Sequence, residues 1–123
     1  MGTFHVQCTI QNPVDRTKTV TVSKILVDSG GEYTWVSEET LERLGIPREK
    51  QVSFVMANGK HIARRVGFAI VKAEDCFTID EVVFAKKGDL QLLGARSLGG
   101  LNLTVDSRRK KLVAGGPLPA ARA

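Results

Sequence analysis

The chain has 123 residues, of which 42% are hydrophobic and 25% are charged, and its formal net charge is +5 at pH 7. This composition is typical of one globular domain with a buried core, and no apolar run is long enough to span a bilayer. The first residues lack the basic head and apolar core of a signal peptide, so we expect a cytoplasmic protein. Cys8 and Cys76 are too few for a disulfide framework, and we expect buried or half-buried thiols.

The sequence offers little support for a metal site or a nucleic-acid partner. His5 and His61 lie far apart, and no Cys/His cluster has the spacing of zinc ligands. Basic residues are scattered apart from "ARR" at 63–65 and "SRRKK" at 107–111. Because neither aromatic platforms nor a recognition helix accompanies them, we attribute the positive charge to solubility and treat a nucleic-acid-binding barrel as a weaker alternative. We expect no cofactor, no metal and no membrane partner.

The first third of the chain predicts two strands and a short helix. The segment "TFHVQCTIQ" (3–11) alternates apolar and polar residues, as half-buried strands do. After the turn "NPVDRT", the segment "KTVTVSKILVD" (18–28) is rich in β-branched residues. Ser37 is a good N-cap, and we expect a helix of about two turns that ends before Gly45 and Pro47.

The rest of the chain predicts hairpins around a second short helix. Asn58-Gly59 is a strong signal for a hairpin with a type I′ turn, which needs positive φ at both residues. The predicted segments are, in order, a hairpin over 51–74, a strand over 76–85, a turn over 86–89, a strand, helical turn and strand over 90–106, and a last hairpin that turns at 106–109. We assign residues 1–114 to one mostly antiparallel β domain and residues 115–123, "GGPLPAARA", to a flexible tail.

A bare carboxylate follows the buried strand in "KILVDSGGEY" (24–33). Asp, Ser and Gly are ordinary turn residues, so Asp28-Ser29-Gly30 on its own fits a strand-to-turn junction. The other interpretation is a catalytic carboxylate held by a rigid loop. Taken alone, the triplet favours the strand-to-turn junction, since so short a motif recurs by chance.

The order of several features resembles the retropepsin-like aspartic proteases, single-lobed relatives of retroviral proteases that also occur as small bacterial proteins. Asp28-Ser29-Gly30 follows an apolar strand, a short helix and the Asn-Gly hairpin come next, and Leu92-Leu93-Gly94 precedes a second short helix. The resemblance covers residues 3–114. It implies an all-β fold, a compact closed barrel with short helices after the Asp-Ser-Gly loop and after Leu-Leu-Gly, that is active as a two-fold homodimer.

The implied activity is that of an aspartic endopeptidase, in which two carboxylates share one proton around a water. Because the chain supplies one such triplet, the second acid has to come from a second copy. The resemblance implies catalytic roles for Asp28, Ser29 and Gly30, with the Ser29 hydroxyl bonding to the opposite loop. It implies a flap that closes over an extended peptide or protein substrate. The substrate-binding residues would be Gly30, Gly31, Glu32, Ala57, Asn58, Gly59 and Lys60.

Two positions depart from the family pattern, and the neighbouring charges have ordinary interpretations. Position 31 is usually alanine in this family and is Gly31 here, and Trp35 is bulkier than expected. Gly31 keeps open the alternative of a dimeric module that binds peptide without cutting it. Arg96 is a possible partner for Glu32. We interpret the acids at positions 80 and 81 as solvated, and those at 15, 75, 89 and 106 as turn residues.

The resemblance also implies a place for the dimer contact. In other members of the family the C-terminal strand helps to form a sheet between the two subunits. The corresponding segment here is "KKLVAGG", and "TFHVQC" from the other end of the domain is a possible second contributor. Two hypotheses stay open: the chain is one domain of a longer protein, and the tail is removed by self-cleavage.

Overall fold

The alternating and β-branched segments form nine strands in the computed structural model, which describes residues 3–121. Strands make up 51% of residues 3–121 and helices 11%. The elements are β1 (His5–Gln11), β2 (Thr19–Asp28), β3 (Thr34–Ser37), α1 (Glu38–Arg43), β4 (Lys50–Val55), β5 (His61–Ala73), β6 (Cys76–Ala85), β7 (Leu92–Gly94), α2 (Ala95–Leu101), β8 (Leu103–Asp106) and β9 (Lys111–Ala114).

Six strands close into a barrel, as the resemblance implies. Their order is β1-β2-β7-β3-β6-β5, and β1 pairs with β5 to complete the circle. Most pairs are antiparallel, but β2 runs parallel to β7 and β3 runs parallel to β6. Strand β4 extends the sheet beyond β5, and β8 and β9 form a separate two-stranded sheet. The predicted all-β fold is therefore confirmed.

Two hydrophobic clusters stabilise the barrel. The larger fills its interior and includes Ile10, Ile25 and Phe84, all essentially inaccessible to solvent. Full burial of one such side chain contributes about 1.5–3 kcal/mol before the entropy of ordering is counted. The smaller cluster includes Trp35 and Val83 and lies beneath the β4–β5 hairpin. Both free thiols behave as predicted, since Cys8 is buried and Cys76 half-buried. Burial raises the pKa of the Cys8 thiol to about 12.

Strand β3 is the one element of the barrel that our sequence analysis did not predict. It has four residues, three of them buried, so it is too short to show alternation. Helix α1 follows directly, and the Ser37 hydroxyl accepts a hydrogen bond from the Thr40 N–H at 3.2 Å, as expected of an N-cap. Gly45 then adopts a φ of +71°, which ends the helix.

The Asn58-Gly59 hairpin is confirmed, but its predicted type I′ turn is wrong. Gly59 has a φ of +82°, whereas Asn58 does not lie in the positive-φ region. The Gly59 N–H donates to the Met56 carbonyl, and the Met56 N–H donates to the Lys60 carbonyl, each at 2.8 Å. This pattern is a three-residue loop with glycine in the left-handed position.

The type I′ turn occurs instead at Glu74-Asp75, between β5 and β6. Both residues there have positive φ, at 51° and 65°. Neither is a glycine, and the sequence therefore carried no clear signal for this turn type.

The predicted exposure of two acids in β6 is wrong, whereas the predicted flexibility of the C-terminal tail is not tested. Asp80 and Glu81, predicted to be solvated, are half-buried in β6 because α2 and the neighbouring β5 pack against that strand.

Residues 115–121 contain no helix or strand and are exposed. The division into a domain at 1–114 and a flexible tail at 115–123 stays a prediction, and residues 1–2 and 122–123 lie outside the described range. Within that range, no helix is long and apolar enough to cross a membrane.

Candidate active site

Asp28 is the last residue of β2, at the point where that strand leaves the barrel core. The parallel pairing of β2 with β7 sets Asp28 beside Gly94. Beyond it the chain turns sharply, because the Gly31 N–H donates to the Asp28 carbonyl at 3.2 Å. The Gly30 N–H donates to the Asp28 carboxylate oxygen Oδ1 at 3.1 Å. The loop thus holds one carboxylate oxygen and leaves the other free of protein donors within residues 3–121.

The two glycines after Ser29 keep the carboxylate open. A Cβ atom on Gly30 would lie 3.4 Å from Oδ1 of Asp28, and one on Gly31 would lie 3.2 Å from Oδ2. A side chain at Gly31 would therefore crowd Oδ2, whereas a Cβ at Gly30 would meet Oδ1 at an ordinary van der Waals distance. Because both are glycines, water or a substrate carbonyl has room to approach both oxygens.

The start of α2 holds the Asp28 loop from the other side. The Ala95 N–H donates to the Gly31 carbonyl at 2.7 Å, and the Arg96 N–H donates to the Glu32 carbonyl at 3.1 Å. Gly94 is required for this approach, since a Cβ there would lie 2.3 Å from the Tyr33 carbonyl oxygen. The two segments that carried the resemblance, Asp-Ser-Gly and Leu-Leu-Gly, are therefore packed together.

A cleft of about 540 Å³ opens over Asp28 between this loop and the β4–β5 hairpin. Of the residues predicted for the site, the cleft brings together Asp28, Gly30, Gly31, Glu32 and Ala57. Ser29, Asn58, Gly59 and Lys60 are exposed and lie outside its lining. Its other lining residues, which sequence reasoning missed, are Tyr33, Trp35, Phe54, Val55, Met56 and Leu92.

Aromatic side chains form one wall of this cleft. The Phe54 ring packs edge-on against Tyr33, with centroids 5.4 Å apart, and its centroid lies 4.9 Å from that of Trp35. Tyr33 and Trp35 follow the Asp28 loop directly, while Phe54 comes from β4. The concentration of aromatic residues just after Asp-Ser-Gly is the one sequence signal from which this wall could have been inferred.

Arg96 contacts two residues of the cleft lining. Its guanidinium group lies 4.5 Å from the centroid of the Tyr33 ring, and its Nε is 3.6 Å from Oε2 of Glu32. The proposed pairing of Glu32 with Arg96 is therefore present. Arg96 also donates to Glu81 at 2.6 Å, and Glu81 in turn pairs with Lys50 at the start of β4. Lys50, with a smaller contribution from Arg96, lowers the pKa of Glu81.

One chain alone does not complete a pair of carboxylates at this site. Within residues 3–121, Glu32 is the only other acid that lines the cleft. Its carboxylate is directed to Arg96, and 74% of its side chain is exposed. In the same range, no group of three or more His, Cys, Asp or Glu side chains is placed to hold a metal ion.

Comparison with known families agrees with this geometry. The family described as "gag-polyprotein putative aspartyl protease" matches residues 17–99, more than half of the chain. The chain belongs to this family. The matched part of this chain contains the Asp28 loop, the β4–β5 hairpin and β7, and it ends within α2. Strand β1 and the β8–β9 hairpin lie outside it. No curated protein matches the chain.

Proposed function

We propose that the protein is an aspartic endopeptidase in which one Asp28 from each of two subunits activates a water. The observation that carries this proposal is the placement of Asp28 at the floor of an apolar cleft, with its carboxylate flanked by two glycines. A structural turn accounts for the Asp28 carbonyl, which accepts from Gly31, and for Oδ1, which accepts from Gly30, but it leaves the open Oδ2 without a role.

The reaction follows from two carboxylates that share one proton. The ionised Asp28 takes a proton from the water as it attacks the peptide carbonyl, and the protonated Asp28 donates a hydrogen bond to the carbonyl oxygen. The tetrahedral intermediate collapses when the Asp28 that took the proton from water donates it to the amide nitrogen. The C–N bond then breaks, and the products are an amine and a carboxylic acid. Like charges at short distance split the two proton affinities, so the pair is singly protonated in its active form.

The remaining predicted residues take roles around this pair. Exposed Ser29 is free to bond with the opposite loop and hold the carboxylates coplanar. Gly30, Gly31 and Glu32 lie along the path of an extended substrate main chain. Tip residues 57–60 of the β4–β5 hairpin close over the substrate in the manner of strand addition, in which main-chain bonds give affinity and side-chain pockets give preference.

A homodimer contact of the kind implied by the family has a suitable edge in this chain. Strand β9 pairs with β8 on one side, and within residues 3–121 no strand covers its other side. The "TFHVQC" segment (3–8) pairs with β2 through His5, Val6 and Cys8, and the pairing with β5 that closes the barrel involves residues 9–11 beyond it. We propose that β9 forms the main intersubunit strand, with "TFHVQC" as a second contributor.

We also propose that the protein acts in the cytoplasm. The support is that both cysteines are free thiols, as is usual in a reducing compartment.

Digestion of a broad peptide library from mildly acidic to neutral pH tests the activity, with products identified by mass spectrometry. Wild type is compared with Asp28→Asn and with Asp75→Asn, a matched change at an exposed turn of the same barrel. We expect cleavage by wild type and Asp75→Asn and none by a folded Asp28→Asn variant. Absence of cleavage by a folded wild-type dimer at every pH favours the peptide-binding module instead.

A further inference from the structure

Two fully buried hydroxyl groups connect the barrel to the Asp28 loop. Thr34 in β3 and Ser97 in α2 are both inaccessible to solvent, and their hydroxyl oxygens are 2.5 Å apart. Ser97 lies 2.8 Å from Oδ2 of Asp80 in β6, and the Gly94 N–H lies 3.0 Å from the Thr34 hydroxyl. These groups form one continuous chain of hydrogen bonds across four elements, β7, β3, α2 and β6.

The carboxylate at the end of this chain determines the direction of every bond. An ionised Asp80 only accepts, so the single Ser97 proton is donated to it. Ser97 then has only lone pairs left for Thr34, and the Thr34 hydroxyl donates to Ser97. The Thr34 oxygen in turn accepts from the Gly94 N–H. The chain therefore runs from Gly94 through Thr34 and Ser97 to Asp80, with no group left unsatisfied.

Gly94 and the start of α2 are the parts of the molecule that hold the Asp28 loop. Gly94 is the register partner of Asp28, and the two N–H groups that follow it bond the carbonyls of Gly31 and Glu32. A shift of α2 relative to β6 therefore moves the loop that carries Asp28. The polar chain opposes this shift, because a displacement of α2 lengthens the part-buried hydrogen bond from Ser97 to the Asp80 carboxylate.

We propose that Asp80 is a positioning residue for the Asp28 loop, acting through Ser97, Thr34 and Gly94. Both of its carboxylate oxygens are used, since Oδ1 accepts from the Glu81 N–H at 2.7 Å while Oδ2 accepts from Ser97. An asparagine has one acceptor oxygen and cannot serve both donors in whichever orientation it adopts. The catalytic consequence of this role of Asp80 rests on the proposed endopeptidase function, but the effect of Asp80 on the loop does not.

Amide hydrogen exchange measured by NMR tests the effect on the loop without any need for activity. Asp80→Asn is compared with wild type and with Asp75→Asn, the same change in the same hairpin at an exposed turn. We expect Asp80→Asn to lower protection of the Ala95 and Arg96 amides by about tenfold more than that of core amides in β5. An equal fall in protection from exchange at all protected amides would indicate a general loss of stability and would overturn the proposal.

A second pair of variants covers the case in which Asp80→Asn does not fold. Thr34→Val keeps the side-chain shape and removes the hydroxyl, whereas Thr34→Ser keeps the hydroxyl. We expect local loss of protection at Ala95 and Arg96 in the valine variant and rescue in the serine variant. Equal protection in the two variants contradicts the proposed chain.

Kinetics on a peptide cleaved by the wild type then test the catalytic consequence. Asp80→Asn should lower kcat by about tenfold or more and leave KM within about twofold, since the loop geometry changes but the aromatic wall does not. Local loss of protection with an unchanged kcat overturns the catalytic part of the proposal. If the wild type cleaves nothing, the proposed function fails, and the exchange experiment alone decides the positioning role.

Discussion

At the scale of single residues, the small side chains around Asp28 matter as much as the acid. The resemblance leads us to expect alanine at position 31, where this chain carries Gly31, and the φ of Gly31 lies outside the left-handed region that favours glycine. A Cβ atom here would lie 3.2 Å from Oδ2 of Asp28, a close contact that a small rotation of the carboxylate relieves. The position therefore accepts alanine sterically, at the expense of some space beside the carboxylate.

We predict that Gly31→Ala stabilises the protein by about 0.4–1 kcal/mol, because alanine reduces the conformational entropy of the unfolded chain. Urea unfolding of the two proteins measures the difference. Gly94→Ala is the matched control and should be strongly destabilised, because its Cβ would lie 2.3 Å from a backbone oxygen. A Gly31→Ala variant that is clearly less stable than wild type would show that the contact with Asp28 is not relieved.

Some residues of the site could be recognised from the sequence, and the surroundings of others could not. Asp28 and its glycines were recognisable because a short motif followed an apolar strand. Asp80 and Glu81 were misjudged, because alternation indicates which face of a strand a residue occupies but not what packs on that face. Asp80 meets α2, and Glu81 meets Arg96 and Lys50, and both contacts depend on tertiary structure.

At the scale of elements, an ion pair ties the proposed flap to the loop beside the cleft. Arg64 in β5 donates two hydrogen bonds to Asp89, from Nε at 2.7 Å and from Nη2 at 2.9 Å. The Lys86 N–H also donates to Asp89, at 2.8 Å. Both side chains of the ion pair are largely buried, at 15% and 13% exposure. The hydrogen bonds from Arg64 lower the pKa of Asp89.

We predict that Asp89→Asn destabilises the protein at pH 7 by roughly 1–2 kcal/mol. Because the folded pKa of Asp89 lies below its unfolded value, its contribution is complete above about pH 4 and is lost as pH falls through the folded pKa. The stability difference from wild type should therefore narrow below about pH 4. Denaturant unfolding at several pH values measures it. A difference that stays constant down to the most acidic pH contradicts this role for the charge.

Elements differed in how far local signals could identify them. Strand β6 was predicted with the same bounds, 76–85, because a long β-branched run lies between two turn segments. Strand β3 was missed because it is short and buried on both faces, and its parallel pairing with β6 is not visible in local sequence. The type I′ turn at Glu74-Asp75 was missed because the strand pairing, rather than a glycine, imposes its positive φ values.

At the scale of the whole molecule, the closed barrel presents what we propose to be one half of a symmetric site. The barrel closes through β1 and β5, and among the strands of residues 3–121 that keep a free edge, β4, β8 and β9, we propose that β9 pairs between subunits. In the proposed dimer each subunit brings one Asp28, since the cleft of one chain offers, within residues 3–121, no second acid suited to share its proton. The proposed activity therefore depends on an assembly of two subunits, and the interface between them cannot be read from the sequence of one chain.

Subunit mixing tests this central claim most directly. Wild type and Asp28→Asn are allowed to exchange subunits at equal amounts and constant total concentration, and peptide cleavage is compared with that of pure wild type. With random pairing, about a quarter of the dimers carry two Asp28 residues, so the account predicts about a quarter of the wild-type activity. Activity at about half the wild-type value would mean that each subunit works alone, and it would contradict a shared pair of carboxylates.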